Sequence, residues 1–305
     1  MDTSAAGTNV NRILMTQGGG KFVETTFEIP KLGADEILVQ SVMTGVCRSD
    51  IDMMCGMFGP LPLHMQGHEG LGKVLSLGSA VKDVEVGNLV ATRGEPAYAD
   101  RYVVKHREYV IVPEAHPRYI LEPVACGINL VHQSIGEYIK RSGPGRRMLI
   151  LGSGFLAWVA YHTVLLNKLE FEITVLGNSN KNLWGDILVQ SHSGKFDVVL
   201  DLSSRLDVFE QDIMQTEGLV IFGSQKQVKT DFANLLWKAC TMVFPSPRTD
   251  KFFLAMNDAA YWVKNGQMQV DSFWSKAYNR NTEWQQAFLD GRSRPPNYSR
   301  GFIYW

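Results

Sequence analysis

The sequence predicts an α/β protein of two units: an all-β, barrel-like unit and a compact doubly wound parallel sheet. Three observations predict it. From Arg12 to about Pro113, short apolar or alternating runs recur between glycines and charged turns. From about Val131 the rhythm changes to strand runs alternating with helix runs, which implies a parallel sheet. A glycine-rich turn, Gly152-Ser153-Gly154-Phe155-Leu156-Ala157, joins the first of these strands to its helix.

In the first unit the expected strands are Glu36 to Val42, Leu71 to Leu77, Leu89 to Thr92 and Tyr98 to Val104, with Gly78 to Val90 forming a turn and return. In the second, Arg147 to Leu151 reads as a buried strand and Trp158 to Leu169 as an apolar-faced helix. Further strands are expected at Ile173 to Leu176, Val198 to Leu202, Leu219 to Phe222 and Thr241 to Phe244. The interval before the Asp197 strand is short, so a helix or strand of the usual unit is expected to be trimmed. Thr249 to Asn265 reads as one amphipathic helix ended by Gly266.

The chain has 305 residues, 45% hydrophobic and 20% charged, with net charge -1, which suits a soluble protein of about two domains. No long basic run offers an electrostatic footprint for nucleic acid or an anionic membrane, so a small-molecule partner is expected. Met1 to Asn11 lacks the charged start and apolar stretch of a signal peptide, and a cytoplasmic location is the expectation. Cysteines 47, 55, 126 and 240 are too few and too dispersed for a disulfide framework.

The chemistry concentrates in Cys47-Arg48-Ser49-Asp50 and, twenty-one residues beyond Cys47, Gly67-His68-Glu69. Thiolate, imidazole and carboxylate are the donors zinc prefers, and a catalytic zinc needs three protein ligands and an open position. The segment Leu121 to Gly127 offers two further donors, Glu122 and Cys126. In the G-x-G-x-x-A turn, Gly152 permits the tight bend, Gly154 lets backbone amides approach a pyrophosphate, and Ala157 allows close packing of helix on strand. An acid at the end of the next strand would select NADH. Here stand Leu176-Gly177-Asn178-Ser179-Asn180-Lys181, so Asn178, Ser179 and Lys181 are read as a 2′-phosphate site and NADP(H) is favoured over NAD(H).

Together these motifs resemble the zinc-dependent medium-chain dehydrogenase/reductase family, of the alcohol dehydrogenase type, from about Ile13 to Trp305. The resemblance implies a GroES-like β-barrel catalytic domain, 1–130 completed by 247–305, and a Rossmann cofactor domain, 131–246. It implies one catalytic zinc on Cys47, His68 and a third ligand. Simple alcohol dehydrogenases use a cysteine at the place of Cys126, which its position before glycine favours; polyol-type relatives use a glutamate at the place of Glu122. Ser49 would carry the alcohol proton, Asp50 would accept the ring N–H of His68, and Glu69 would lie beside the metal and exchange with its water. Arg48 and Arg300 fall where relatives bind the cofactor pyrophosphate, with an exposed tail charge the alternative for Arg300.

The sequence departs from the family pattern in two places. Arg93 to Asp100 carries no cysteine, so the lobe for a structural zinc is expected to be deleted. Ile51 and Asp52 stand where relatives complete a proton relay with histidine. Met53, Met54, Met57 and Phe58 suggest an apolar pocket for a hydrophobic or aromatic aldehyde, their alternative role being core. The expected activity is NADP-linked aldehyde reduction by a homodimer paired near Met242 to Phe244. The alternatives are a polyol or sugar-alcohol dehydrogenase, and a non-catalytic nucleotide-binding relative.

Overall fold

The computed structural model describes residues 10–57, 62–203, 213–224 and 232–305. The chain divides into two compact units, residues 1–123 with 256–305, and residues 124–255. The first unit opens with β1 (Arg12–Gly18), β2 (Lys21–Thr26), β3 (Glu36–Gly45) and α1 (Arg48–Met54). It continues through β4 (Gly70–Leu77), β5 (Leu89–Thr92), β6 (Arg101–Lys105) and β7 (Tyr109–Val112). Then α2 (Glu122–His132) leads on to α3 (Ile135–Arg141), β8 (Arg147–Leu151), α4 (Phe155–Leu166), β9 (Glu172–Leu176) and α5 (Lys181–Trp184). Next come β10 (Leu188–Val189), β11 (Phe196–Asp201), β12 (Met214–Phe222), α6 (Phe232–Trp237) and β13 (Thr241–Val243). The last elements are α7 (Phe252–Lys264), β14 (Trp274–Asn279), α8 (Trp284–Ser293) and β15 (Arg300–Tyr304).

In the first unit the strands follow the order β14-β15-β3-β4-β5-β7, with β6 also paired to β3 and a separate β1-β2 hairpin. Alternation places Ile37, Val39, Val74, Val90, Tyr102 and Val104 in one core. A second cluster joins α1 and α8 to the returning strands through Ile51, Met54, Phe288, Tyr278 and Ile303. Tyr98, expected in a strand, lies before β6 instead: its backbone N–H bonds to Gln66 and its ring packs edge-on against Phe288.

The second unit is a six-stranded parallel sheet in the order β10-β9-β8-β11-β12-β13. By place in the chain this is the 3-2-1-4-5-6 order of a doubly wound dinucleotide-binding sheet. Successive residues of β8 serve opposite faces: Met148 and Ile150 enter one core, Leu149 and Leu151 the other. A parallel sheet buried on both faces therefore reads as an unbroken apolar run. The trimmed part is visible, since α5 has four residues and β10 only two. The amphipathic helix expected from Thr249 starts at Phe252, and Gly266 lies beyond its end with φ 72°. No helix among the described residues is long and apolar enough to cross a membrane.

Candidate active site

Strand β3 runs directly into α1, and the junction sets the first donor. Cys47 is extended (φ -81°, ψ 155°) at the N-cap of α1, and its backbone N–H donates to Asp50 Oδ2 at 2.8 Å. That bond satisfies one of the orphan amides of a helix start. The second donor precedes β4. Backbone bonds from Ala97 to Gly67 and from Tyr98 to Gln66 hold its loop, and Gly45 N–H donates to the Glu69 carbonyl at 2.9 Å. Cys47, His68 and Glu69 thereby converge, with one donor atom from each lying within 4.8 Å of the others.

Behind these donors sits Asp50, 1% exposed. Its Oδ2 accepts the Tyr98 hydroxyl at 2.6 Å, while Oδ1 has no hydrogen-bond partner and lies 3.7 Å from His68 Nδ1. The expected Asp50–His68 pairing is therefore an ion-pair separation and not a formed hydrogen bond. Ser49 Oγ lies 3.5 Å from His68 Nε2, on the other side of the ring. Glu69, fully buried, carries Arg300, whose Nη2 donates to both carboxylate oxygens, 2.6 Å from Oε1. The Arg300 guanidinium also lies 4.9 Å from the centre of the Trp274 ring.

The electrostatics of this cluster favour a cation. Burial, with Glu69, pushes the Cys47 thiol up, and burial raises the Asp50 carboxyl against the pull of His68 and Tyr98. Burial disfavours the charged His68 ring, but Glu122, Asp50 and Cys47 outweigh it and hold His68 well above its ordinary value. A half-buried thiol, an imidazole and several carboxylates, one with an unsatisfied oxygen, form a donor set that zinc fits.

In the second unit, the turn between β8 and α4 has Gly152 at φ 117°, a backbone that favours glycine, and Gly154 at the N-cap of α4. Ala157 is buried on the helix face that meets the sheet. Ser153, between the glycines, bonds to the loop after β9: its Oγ accepts the Ser179 N–H at 2.9 Å and lies 3.0 Å from Ser179 Oγ. Asn178 and Lys181 are exposed on that loop.

Residues 33–121 match the alcohol dehydrogenase GroES-like domain family. Alcohol dehydrogenase 1 of Emericella nidulans is 40% identical over 168 residues, covering 45% of this chain and 47% of that protein. The matched region thus spans about half the length of the first curated relatives. A thermostable alcohol dehydrogenase from Pyrobaculum aerophilum superposes with TM-score 0.77 at 18% identity, covering 97% of this chain and 99% of that one. Galactitol-1-phosphate dehydrogenase from Escherichia coli gives TM-score 0.68 at 15% identity, over 97% and 100%. Residues 33–121 thus carry an alcohol dehydrogenase GroES-like domain, and the fold of the whole chain is that of these dehydrogenases.

The residues singled out by sequence fall into distinct places. Cys47, His68 and Glu69 are gathered, with Ser49 and Asp50 touching them. Glu122 is buried at the start of α2 and acts electrostatically on His68 and Arg300. Cys126, one helical turn further along, is half-buried in the second unit. Arg48 is half-exposed and donates to Asp52 at 2.9 Å. Arg300, for which an exposed tail was one reading, lies instead in β15 on Glu69, because that buried carboxylate needs a cation. Met53 and Met54 are buried, so they serve as core, while Met57 is exposed; Phe58 lies outside the described residues. Sequence reasoning missed Tyr98, whose link to Asp50 spans 48 residues and carries no local signal.

Proposed function

We propose that this chain is a zinc-dependent, NADP-preferring oxidoreductase that interconverts an alcohol and its aldehyde, working as an aldehyde reductase. The observation that carries this reading is the convergence of Cys47, His68 and Glu69 within 4.8 Å, with the Ser49 hydroxyl beside His68. When bound, zinc supplies Lewis acidity toward a carbonyl oxygen and the nicotinamide supplies the hydride.

Cys47 and His68 would hold the ion, with Glu69 in reach and Glu122 or Cys126 as the further donor. Asp50 orients His68: closing the 3.7 Å gap to Nδ1 fixes the tautomer that leaves Nε2 as the donor nitrogen. Ser49 Oγ–H delivers the proton that the substrate oxygen gains during reduction and takes it back during oxidation. Ile51 is buried and Asp52 is engaged by Arg48, so the route that resupplies Ser49 differs from the histidine relay of relatives or runs through water. The glycine turn of residues 152–154, followed by α4, would take the pyrophosphate, with Lys181 and Asn178 meeting the 2′-phosphate. Arg48 and Arg300 keep their proposed part at the pyrophosphate as cations already anchored by Asp52 and Glu69.

A second reading, a polyol dehydrogenase, rests on Glu122, buried at the start of α2, since the resemblance gives polyol-type relatives a glutamate donor at its place. A homodimer is proposed through the β13 edge. Phe232, Leu236, Trp237 and Phe244 are exposed in this unit, Trp237 by 84%.

Zinc content and NADPH oxidation over a panel containing benzaldehyde and a sugar aldehyde test the reading. About one zinc per chain, as a single catalytic site requires, with turnover of benzaldehyde supports the reductase. Preference for the sugar aldehyde moves the assignment to the polyol class. Zinc-free, inactive protein that still binds NADPH overturns both in favour of a nucleotide-binding module.

A further inference from the structure

Ser153 is 4% exposed, yet it carries four polar links. Its hydroxyl accepts the Ser179 N–H at 2.9 Å and meets Ser179 Oγ at 3.0 Å. Its carbonyl accepts two side-chain donors, Asn180 Nδ2 at 3.0 Å and Trp184 Nε1 at 3.1 Å. Asn180 itself is left-handed (φ 53°, ψ 38°), a conformation asparagine tolerates better than most residues. Gly177 belongs to the same arrangement, because a Cβ there would collide with the Ser153 side chain. The loops after β8 and β9 are therefore one piece, joined at Ser153.

We infer that Ser153 is the positioning residue for cofactor choice: by fixing Ser179 and Asn180 it presents the loop of residues 178–181 as a preformed receptor for the 2′-phosphate of NADPH. This rests on the nicotinamide reading proposed for the site. Each side chain ordered only on binding costs roughly 0.5–1.5 kcal/mol, so a loop already held by three bonds to Ser153 spends less on ordering than a free one. The commitments of Ser179 and Asn180 also narrow the phosphate contacts: Ser179 is tied to Ser153, and the exposed Asn178 and Lys181 are left to meet the ligand. Ser153 touches the loop and not the phosphate.

The variants separate its two roles. Ser153→Ala deletes only the hydroxyl links to Ser179; the carbonyl bonds to Asn180 and Trp184 remain. Calorimetric titration of the full chain should show NADPH weakened about tenfold, as loss of one well-made hydrogen bond predicts, with NADH changed less than about twofold. Ser179→Ala should do less, because its N–H still reaches Ser153 Oγ, and the double variant should be no weaker than Ser153→Ala alone. Unchanged affinity for both cofactors, or an equal loss for both accompanied by a lower Tm, overturns the inference. A native chain that binds neither cofactor removes the nicotinamide reading and the inference with it. If Ser153→Ala fails to fold, Ser179→Ala decides: it must weaken NADPH more than NADH.

Discussion

The Arg300 guanidinium rests on the Glu69 carboxylate, its Nη2 2.6 Å from Oε1, with the two side chains 12% and 0% exposed. Burial opposes the charge on Arg300, but Glu69 and Cys47 hold it well above its usual range, so it stays a cation throughout the accessible pH range. Glu69→Gln removes the carboxylate charge on which that buried cation rests. We expect a loss of about 3–5 kcal/mol in urea unfolding, the usual cost of breaking a buried pair from one side. A loss below about 1 kcal/mol would show that Arg300 escapes to solvent, as surface pairs do.

Glu122 and Cys126 lie on one helix, four residues apart, and separate variants tell which completes the metal site. Cys126→Ser, at the place the alcohol dehydrogenase reading gives to the third ligand, should lower zinc affinity by more than the roughly 10–100-fold that outer contacts contribute. Glu122→Gln should lower it less. Competition with a chelator of known affinity measures both, and the reverse order assigns the glutamate and with it the polyol reading.

Asp290 governs an acid-sensitive joint. Its carboxylate accepts Lys276 Nζ and Tyr278 Oη, each at 2.6 Å, and Gln286 Nε2 at 2.7 Å. Burial alone would raise its pKa, but these donors outweigh it and hold the group below its ordinary value. The folded state therefore binds this proton less readily than the unfolded one. The stability it contributes is present above the unfolded pKa of about 3.9 and is lost as pH falls through the lower folded value. Thermal melts of Asp290→Asn should lie below the native chain at neutral pH and converge with it in acid. A constant gap would sink the assignment.

Trp237 tests the pairing surface. Trp237→Arg places a charge among exposed Leu236, Phe232 and the neighbouring edge. Light scattering at micromolar concentration should show a dimer for the native chain and a monomer for the variant, with NADPH affinity preserved. A native monomer would refute the homodimer.

The parts of the fold legible in sequence were those set by local periodicity. Leu89 to Thr92 and Arg147 to Leu151 are strands over the residues expected, because β5 and the doubly buried β8 are bounded by clear turns. The helix expected from Trp158 begins at Phe155, since Gly154 is the cap and the turn ends there. The tie between Arg48 and Asp52 follows ordinary i,i+4 spacing and was within reach of the sequence. What stayed hidden were partners chosen by tertiary contact. Arg300 meets Glu69 across 231 residues, and Tyr98 leaves its expected strand to bond Asp50. No window of sequence contains both members of either pair.

The N-cap at Cys47 bears on how relatives of this chain should be sorted. Asp50 closes the first turn of α1 and anchors Tyr98, so a descendant that abandoned chemistry would still be under pressure to keep it. Among the described residues the Ser49 hydroxyl meets the His68 ring alone, at 3.5 Å, so it carries no such burden. On the proton-carrying role proposed for Ser49, drift after loss of turnover would erase the serine first, making position 49, and not the more conspicuous aspartate, the one to compare among relatives.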